Sequence, residues 1–164
     1  MNIQEISRNK GEICEEILRS LPEWFGIEES LRTYVDEARF RPMFVAREGE
    51  NITGFLTLTL HNEYTGEIHV MGIRKEYHRK GIGKALVEYA ASYLLENKHE
   101  FMTVKTLSSS RECPEYERTR KFYLALGFKP LEEFKTLWGK DNPCLFLARS
   151  LTRRVSRTDK VEEG

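Results

Sequence analysis

The residues best suited to chemistry lie in a basic, glycine-containing loop between a predicted strand and a predicted helix. From Arg74 to Lys84 the chain carries five basic side chains and one carboxylate, and Gly81 and Gly83 stand where the helix begins. Glycines let a phosphate approach the backbone closely, and the free N–H groups of a helix N-terminus can then bind its oxygens. The pattern predicts an anion site; the alternative is that the two glycines only make a tight turn.

Two common nucleotide-binding motifs do not fit this loop. A P-loop needs Ser or Thr after Gly-Lys and a glycine five residues before that Gly-Lys, whereas this chain has Ala85 and His78 there. A dinucleotide fingerprint needs a third glycine where Leu86 stands. The anion is therefore not expected to be held by either motif.

Hydrophobic spacing places the loop in a chain of mixed strands and helices. The first forty residues are predicted to be helical, with a first helix that ends at Pro22 and a second over Glu28–Arg39. The remaining predicted helices are Gly81–Asn97 and Pro114–Leu126, and the predicted strands are Met43–Arg47, Ile52–Leu60, Thr65–Ile73, Phe101–Leu107, Leu131–Leu137 and Cys144–Arg149. This order describes a mixed sheet with helices packed on it.

Length and composition limit the classes of function. The 164 residues fit one domain, predicted over 1–150, with a polar tail over 151–164 that we expect to be flexible. Equal numbers of basic and acidic residues, 26 of each, argue against a dedicated nucleic-acid or membrane binder. The N-terminal segment has no signal-peptide pattern, and the three cysteines have no metal-ligand spacing. We expect a cytoplasmic protein without a metal.

Two segments resemble motifs of the GNAT N-acetyltransferases. The loop from His78 to Gly83 is similar to that family's acetyl-coenzyme A motif, [Gln/Arg]-x-x-Gly-x-[Gly/Ala], and Ile73 stands eight residues before Gly81, as the motif requires. His78 departs from the usual Gln or Arg. The run Phe122-Tyr123 to Gly127-Phe128 resembles the family's Phe-Tyr-x-x-x-Gly-Phe helix.

The resemblance implies an α/β fold of the α+β type. The expected GNAT architecture is a mixed, mostly antiparallel central sheet of about six or seven strands, flanked by about four helices. It also implies acetyl-CoA as co-substrate, with the pantetheine arm on the strand and the pyrophosphate in the loop. The implied cofactor-binding residues are Met71, Gly72, Ile73, His78, Arg79, Lys80, Gly81, Ile82, Gly83 and Lys84.

The implied reaction moves an acetyl group from a thioester to an amine, by direct transfer in a ternary complex. A typical amine has a pKa near 10.4, so its deprotonation at neutral pH costs about 4–5 kcal/mol and calls for a base. An unbroken strand would place Glu67 and His69 on the same face as Met71 and Ile73. Glu67 is the preferred base, directly or through water, and His69 is the second candidate.

Structural roles remain the alternatives for each of these side chains. Glu67 could be a solvated carboxylate at a strand end, and His69 a hydrogen-bonded core residue. Tyr123 is the candidate acid for the leaving sulfur, although its spacing also fits an aromatic core stripe. Cys113 is a weaker candidate nucleophile because no histidine is obviously paired with it.

The acceptor is left open by the sequence. Trp24, Phe25, Tyr34 and the loop 108–115 are expected to form walls that would suit a small amine, a peptide end or an aminoglycoside-like polycation. A non-catalytic acyl-CoA-binding or interaction module is the alternative function. The expected partners are acetyl-CoA and an amine, with no nucleic acid and no membrane, and with a homodimer as an option.

Overall fold

The computed structural model describes residues 1–151, which form one seven-stranded sheet between two layers of helices. The strands are β1 (Asn2–Ile6), β2 (Met43–Glu48), β3 (Asn51–Leu60), β4 (Thr65–Ile73), β5 (Phe101–Leu107), β6 (Lys129–Phe134) and β7 (Cys144–Ser150). The helices are α1 (Lys10–Arg19), α2 (Glu28–Ala38), α3 (Ile82–Glu96) and α4 (Pro114–Ala125), with a 3₁₀ turn at Lys75–Tyr77.

The sheet order is β1-β2-β3-β4-β5-β7-β6. Every neighbouring pair is antiparallel except β4 and β5, which run parallel and are joined through α3. A parallel pair needs such a crossover, whereas antiparallel neighbours can be joined by short turns, as β2 is to β3 and β3 to β4. The predicted fold class, a mixed and mostly antiparallel sheet with about four helices, is confirmed.

Both faces of the central strands are buried because a helical layer covers each of them. Along β2, Met43 and Val45 pack toward α1 and α2, while Phe44 and Ala46 pack toward α3. This explains why the sequence of β2 is an apolar run rather than an alternation of apolar and polar residues. The sheet core lies between α3 on one side and the α1–α2 pair on the other.

The prediction that the first forty residues are helical is wrong for β1. Its five residues alternate without a clear apolar face, and they become a strand by pairing with β2, from Asn2 opposite Arg47 to Ile6 opposite Met43. The predicted strand Leu131–Leu137 is also shifted: β6 spans Lys129–Phe134, and Leu131 is an unpaired bulge residue opposite β7.

The end of the domain differs slightly from the prediction. Leu151 is buried and its N–H donates to the carbonyl of Glu100, so it belongs to the packed structure rather than to a tail. Residues 152–164, where the flexible tail is predicted, lie outside the described residues. Within residues 1–151, no helix is long and apolar enough to cross a membrane.

Phe44 tests the packing between the sheet and α3. Its fully buried ring lies 5.2 Å from the ring of Tyr89 and 5.1 Å from that of Tyr93. Phe44→Ala should lower the free energy of unfolding by about 3–5 kcal/mol, measured by chemical denaturation, because it leaves a cavity. Phe40 is 88% exposed, and the matched Phe40→Ala variant should change stability by less than about 0.5 kcal/mol. Equal losses in both variants would contradict this packing.

Candidate active site

The candidate site is built on the separation of β4 from β5. Their pairing runs from Thr65 opposite Phe101 to Ile68 opposite Val104, and in the described residues it continues no further. A cavity of about 1260 Å³ opens beyond that point, lined by the ends of both strands. Among residues 1–151, no strand pairs with the segment 71–73 from the cavity side, so its backbone can bind an extended ligand as an added strand would.

A β-bulge in β4 places the expected catalytic residues Glu67 and His69 on the opposite face of the sheet from Met71 and Ile73. Thr57 pairs with Val70 and Leu58 pairs with Ile68, so His69 is an extra residue without a partner on β3. Ile68, Met71 and Ile73 pack toward α3. The ring of His69 instead contacts Tyr34 of α2, with 5.3 Å between ring centroids.

The prediction that Glu67, His69, Met71 and Ile73 share one face is therefore wrong. A bulge adds one residue to the strand, which reverses the alternation for everything beyond it. Glu67 and His69 precede the reversal and lie on the α2 side, while Met71 and Ile73 lie on the α3 side. Because the strands separate here, the cavity still contacts both faces.

The glycine loop presents unpaired backbone donors to this cavity. Gly81 has a φ of 80° and Arg79 a φ of 62°, and a Cβ at Gly81 would point into open space. Among the described residues, no acceptor binds the N–H groups of residues 79–84. Nearby, the side chains of Arg79 and Lys84 line the cavity without forming an ion pair in residues 1–151. This arrangement fits a diphosphate.

Gly83 serves packing rather than conformational freedom. A Cβ at this position would lie 3.0 Å from Cδ1 of Ile73 and 3.1 Å from Cζ of Phe122. The absence of a side chain lets the start of α3 approach both β4 and α4. The two glycines of the motif therefore have different roles. Gly81 allows a left-handed backbone, and Gly83 allows close packing.

His78 and Trp24 connect the loop to the rest of the site. Nε2 of His78 lies 2.6 Å from the carbonyl oxygen of Ile73, and its ring is 5.8 Å from that of Trp24 in an edge-to-face arrangement. The indole N–H of Trp24 donates to Oγ1 of Thr119 at 3.3 Å. The hydroxyl of Tyr116 donates to the carbonyl of Trp24 at 2.8 Å. Trp24 thus joins the α1–α2 connection to the loop and to α4.

Glu67 is a buried carboxylate held by several donors. Its Oε1 accepts hydrogen bonds from Thr103 and Lys105 at 3.0 Å, and its Oε2 accepts from Lys105 at 2.8 Å. His61 lies 3.2 Å from Oε1. Burial alone would raise the pKa of Glu67, but the charge and hydrogen bonds of Lys105, with Thr103 and His61, lower it. Glu67 is ionised at neutral pH, and it does not line the cavity.

His69 lines the cavity and is neutral at neutral pH. Burial and the charge of Arg41 lower its pKa below the usual 6.5, and Glu37 partly offsets them. Its Nε2 is buried 2.7 Å from Oε2 of Glu37, without the geometry of a directed hydrogen bond. Arg41 donates to the same carboxylate oxygen at 3.1 Å. Since Nε2 is turned away, Nδ1 is the ring nitrogen available to a molecule in the cavity.

Tyr123 lies on the cavity wall from the α4 side. It is 5% exposed, and its ring packs edge-to-face on those of Phe122 and Phe128. Burial raises the pKa of Tyr123 well above its usual value, so the phenol stays protonated throughout the physiological range. A buried phenol with its proton retained can act as an acid but not as a base at neutral pH.

Most of the predicted cofactor residues meet at the cavity. The lining includes Met71, Gly72, Ile73, His78, Arg79, Gly81, Ile82, Gly83 and Lys84. Lys80 is outside the lining, with its ammonium 5.1 Å above the ring of Tyr77. Of the predicted catalytic residues, His69 and Tyr123 line the cavity and Glu67 does not.

Several residues of the site were not predicted from the sequence. Glu37, Arg41 and Lys105 surround the two candidate bases, and no motif or spacing marks them.

Cys113 is half-buried at the start of α4, 3.4 Å from Oε2 of Glu115, and no ring of a described histidine contacts it. No group of three or more His, Cys, Asp or Glu side chains in residues 1–151 is placed to hold a metal ion.

Comparison with known proteins identifies the family. The profile described as "Acetyltransferase (GNAT) domain" matches residues 39–130, more than half of the chain. This protein therefore belongs to the GNAT acetyltransferase family, whose members use acetyl-CoA as co-substrate. The predicted family, fold and co-substrate are confirmed.

Individual proteins that match this chain either cover only part of it or have low sequence identity to it. An "Uncharacterized N-acetyltransferase in lysA 3'region" from Bacillus methanolicus is 31% identical over 62 residues, which span 38% of this chain and 51% of that relative. The match thus covers only about half of the relative's length. The residue roles in this chain cannot be transferred from such a partial match and must be argued from its own geometry.

Two solved structures show the same fold. An aminoglycoside 6'-N-acetyltransferase complexed with coenzyme A is 21% identical, with a TM-score of 0.75 over 95% of this chain and 100% of that one. The ribosomal-protein-S18-alanine N-acetyltransferase from Escherichia coli is 13% identical, with a TM-score of 0.74 over 95% and 97%. At these identities the likeness establishes the fold.

Gly81 tests the loop as the phosphate-binding element. Gly81→Ala forces a side chain into the left-handed region, at about 1–3 kcal/mol, and adds a Cβ where a phosphate would approach. We expect coenzyme A to bind at least about tenfold more weakly by calorimetry, a loss of about 1.4 kcal/mol.

Gly49 provides the matched control for this experiment. It has a φ of 61° with nothing near its Cβ position, and it lies in the β2–β3 turn. Gly49→Ala should lose similar stability and keep its affinity for coenzyme A. Wild-type affinity in Gly81→Ala would show that the diphosphate is held elsewhere.

Proposed function

We propose that this protein transfers the acetyl group of acetyl-CoA to an amine by direct attack in a ternary complex, with His69 as base and Tyr123 as acid. The observation that carries the proposal is the cavity through the β4–β5 separation. It is lined at once by the glycine loop, His69 and Tyr123. A donor and an acceptor can therefore meet in one space without a covalent enzyme intermediate.

The donor end is formed by the loop and the free edge of β4. Bound acetyl-CoA would supply an activated thioester. The N–H groups of residues 79–84, with Arg79 and Lys84, would bind its diphosphate, and the edge of Met71–Ile73 would bind the pantetheine arm. His78 already occupies the carbonyl of Ile73, so a pantetheine amide that uses this carbonyl must first displace the imidazole.

His69 suits the role of base because it is neutral and reaches the cavity. Burial and Arg41 hold its pKa below 6.5, against the opposing effect of Glu37. In the proposed step the amine nitrogen attacks the thioester carbon, the C–N bond forms and the C–S bond breaks. Nδ1 of His69 takes the proton that the amine loses.

Glu67 is less suited to that role than the sequence predicts. Its oxygens are occupied by Lys105, Thr103 and His61, and its low pKa makes it a weak base. The carboxylate instead neutralises Lys105 between β4 and β5. Its expected contribution is to the stability of the strand ends that form the cavity.

Tyr123 would return a proton to the departing sulfur. Its hydroxyl is protonated at neutral pH, as phenols ordinarily are, and burial raises the pKa further, so the group is a proton donor to the sulfur and not a base. The thiolate of coenzyme A would leave as a thiol, which balances the proton taken by His69. Backbone N–H groups of the β4 edge are available to stabilise the oxyanion.

Paired variants on β4 distinguish the two candidate bases. His69→Gln should lower kcat by about 10²–10⁴-fold and abolish the acidic limb of the pH–rate profile. In the wild type the rate should fall as pH drops through the His69 pKa, below 6.5, because protonation removes the base. Glu67→Gln should lower stability and keep the acidic limb, moved to lower pH because the charge of Glu67 raises the pKa of His69. Loss of that limb in Glu67→Gln alone would assign the base to Glu67.

Tyr123→Phe tests the acid. The variant keeps the ring contacts with Phe122 and Phe128 and removes only the hydroxyl. We expect kcat to fall at least about tenfold, with coenzyme A affinity unchanged by calorimetry. Thiol release from acetyl-CoA with an amine panel is the assay. Unchanged turnover would restrict Tyr123 to packing, and binding without any turnover in the wild type would favour the acyl-CoA-binding module.

The location and partners remain proposals. Cys14, Cys113 and Cys144 are free thiols, which supports a reducing, cytoplasmic setting. Arg74 and Lys75 of the loop are paired with carboxylates, and Arg79 and Lys84 line the cavity, which supports a nucleotide-bearing donor rather than a nucleic acid or a membrane. The homodimer stays a prediction, with β6 as an exposed edge strand that could pair across two copies.

A further inference from the structure

The α2 side of the cavity has a continuous aromatic wall that ends at His69. The rings of Phe25 and Tyr34 meet edge-to-face at 6.1 Å and 87°, and those of Tyr34 and His69 at 5.3 Å and 69°. Trp138, from the β6–β7 connection, also lines the cavity and is 38% exposed. Apolar surface of this kind binds a ring and places a group attached to it beside the imidazole.

The charges of the cavity do not favour a polycationic acceptor. The carboxylates that line it in the described residues are Glu23, Glu29 and Glu115. Glu23 forms an ion pair with Lys75, and Glu115 is half-buried and accepts from the thiol of Cys113. Of these three carboxylates, Glu29, at the exposed start of α2, forms neither an ion pair nor a hydrogen bond with a thiol.

Five cationic side chains also line the cavity: Arg79, Lys84, Lys105, Arg111 and Arg118. Arg79 and Lys84 are proposed to bind the diphosphate, and Lys105 is neutralised by Glu67. Arg111 and Arg118 form no ion pair within residues 1–151, and they offset the charges of Glu29 and Glu115. The lining therefore offers no surplus of carboxylates to a molecule with several ammonium groups, while a single amine needs only one polar contact near His69.

We propose that the acceptor is a small monoamine that carries an aromatic ring. The ring lies on Phe25 and Tyr34, and its amine reaches Nδ1 of His69. Tyr34 can also contact the amine, because in the described residues its hydroxyl has no hydrogen-bond partner. This inference rests on the proposed acetyl transfer and narrows its substrate class.

Competing acceptors with acetyl-CoA test the inference in the wild-type protein. The probes are 2-phenylethylamine, n-butylamine, spermidine and kanamycin, and the readout is kcat/KM from thiol release. We expect 2-phenylethylamine to exceed each of the others at least about tenfold. Phe25→Ala should raise KM for 2-phenylethylamine, change KM for n-butylamine little and leave coenzyme A affinity unchanged. The matched control is Phe40→Ala, since Phe40 is exposed outside the cavity.

The outcomes separate this inference from the proposal on which it rests. Higher kcat/KM with spermidine or kanamycin, or equal values for all four amines, would overturn the aromatic monoamine and leave acetyl transfer intact. Coenzyme A binding without thiol release from any of the four would overturn the aromatic monoamine, and no release from a panel widened to peptide amines would overturn acetyl transfer as well. A preference for 2-phenylethylamine that persists in Phe25→Ala and Tyr34→Leu would overturn the aromatic wall as its cause.

Discussion

The separation of β4 from β5 is the constraint on which the site depends. These strands form the sheet's parallel pair, and their pairing stops at Ile68 and Val104. Beyond that point the facing edges of β4 and β5 have no strand partner among residues 1–151, a situation that costs free energy unless a ligand or water bonds them. The same separation opens a passage between the two helical layers. A donor held on one face of the sheet can thus meet an acceptor held on the other.

The crossover through α3 brings the phosphate-binding loop to this opening. The chain leaves β4 at Ile73 and begins α3 at Ile82, so the helix N-terminus lies beside the unpaired strand edge. Its free N–H groups carry the positive end of the helix dipole. Gly81 supplies the left-handed backbone, and Gly83 permits the close approach to Ile73 and Phe122. One connection therefore supplies both the charge and the geometry for a diphosphate.

Two titratable groups on β4 have different environments. Glu67 is ionised and held by Lys105, whereas His69 is neutral and lines the cavity. Neighbouring groups whose surroundings push their pKa values apart commonly divide structural and catalytic work. Here both side chains face the α2 side, and their neighbours make the difference. Lys105 neutralises Glu67, whereas burial and the charge of Arg41 keep the imidazole of His69 uncharged against the opposing effect of Glu37.

Much of the fold could be predicted from periodicity. The bounds of β4 and β5 match the predicted strands, and α3 and α4 differ from prediction by a residue at their ends. The strands that the sequence predicted wrongly lie at the two edges of the sheet. β1 has no amphipathic pattern and depends on its bonds to β2, and β6 contains a bulge at Leu131 that shifts its register. Edge strands bury little surface, so their sequences carry a weak signal.

For the site, local sequence marks the glycine loop, because its glycines and cations are adjacent in the chain. The sequence also names the proposed base and acid, His69 and Tyr123, as candidates, but it does not give their arrangement. A single inserted residue reversed the expected faces of β4, and the partners that set the pKa values come from α2, the α2–β2 connection and β5. Those contacts arise only when distant segments pack, because electrostatic effects on a side chain depend on distance in space and not on separation along the chain.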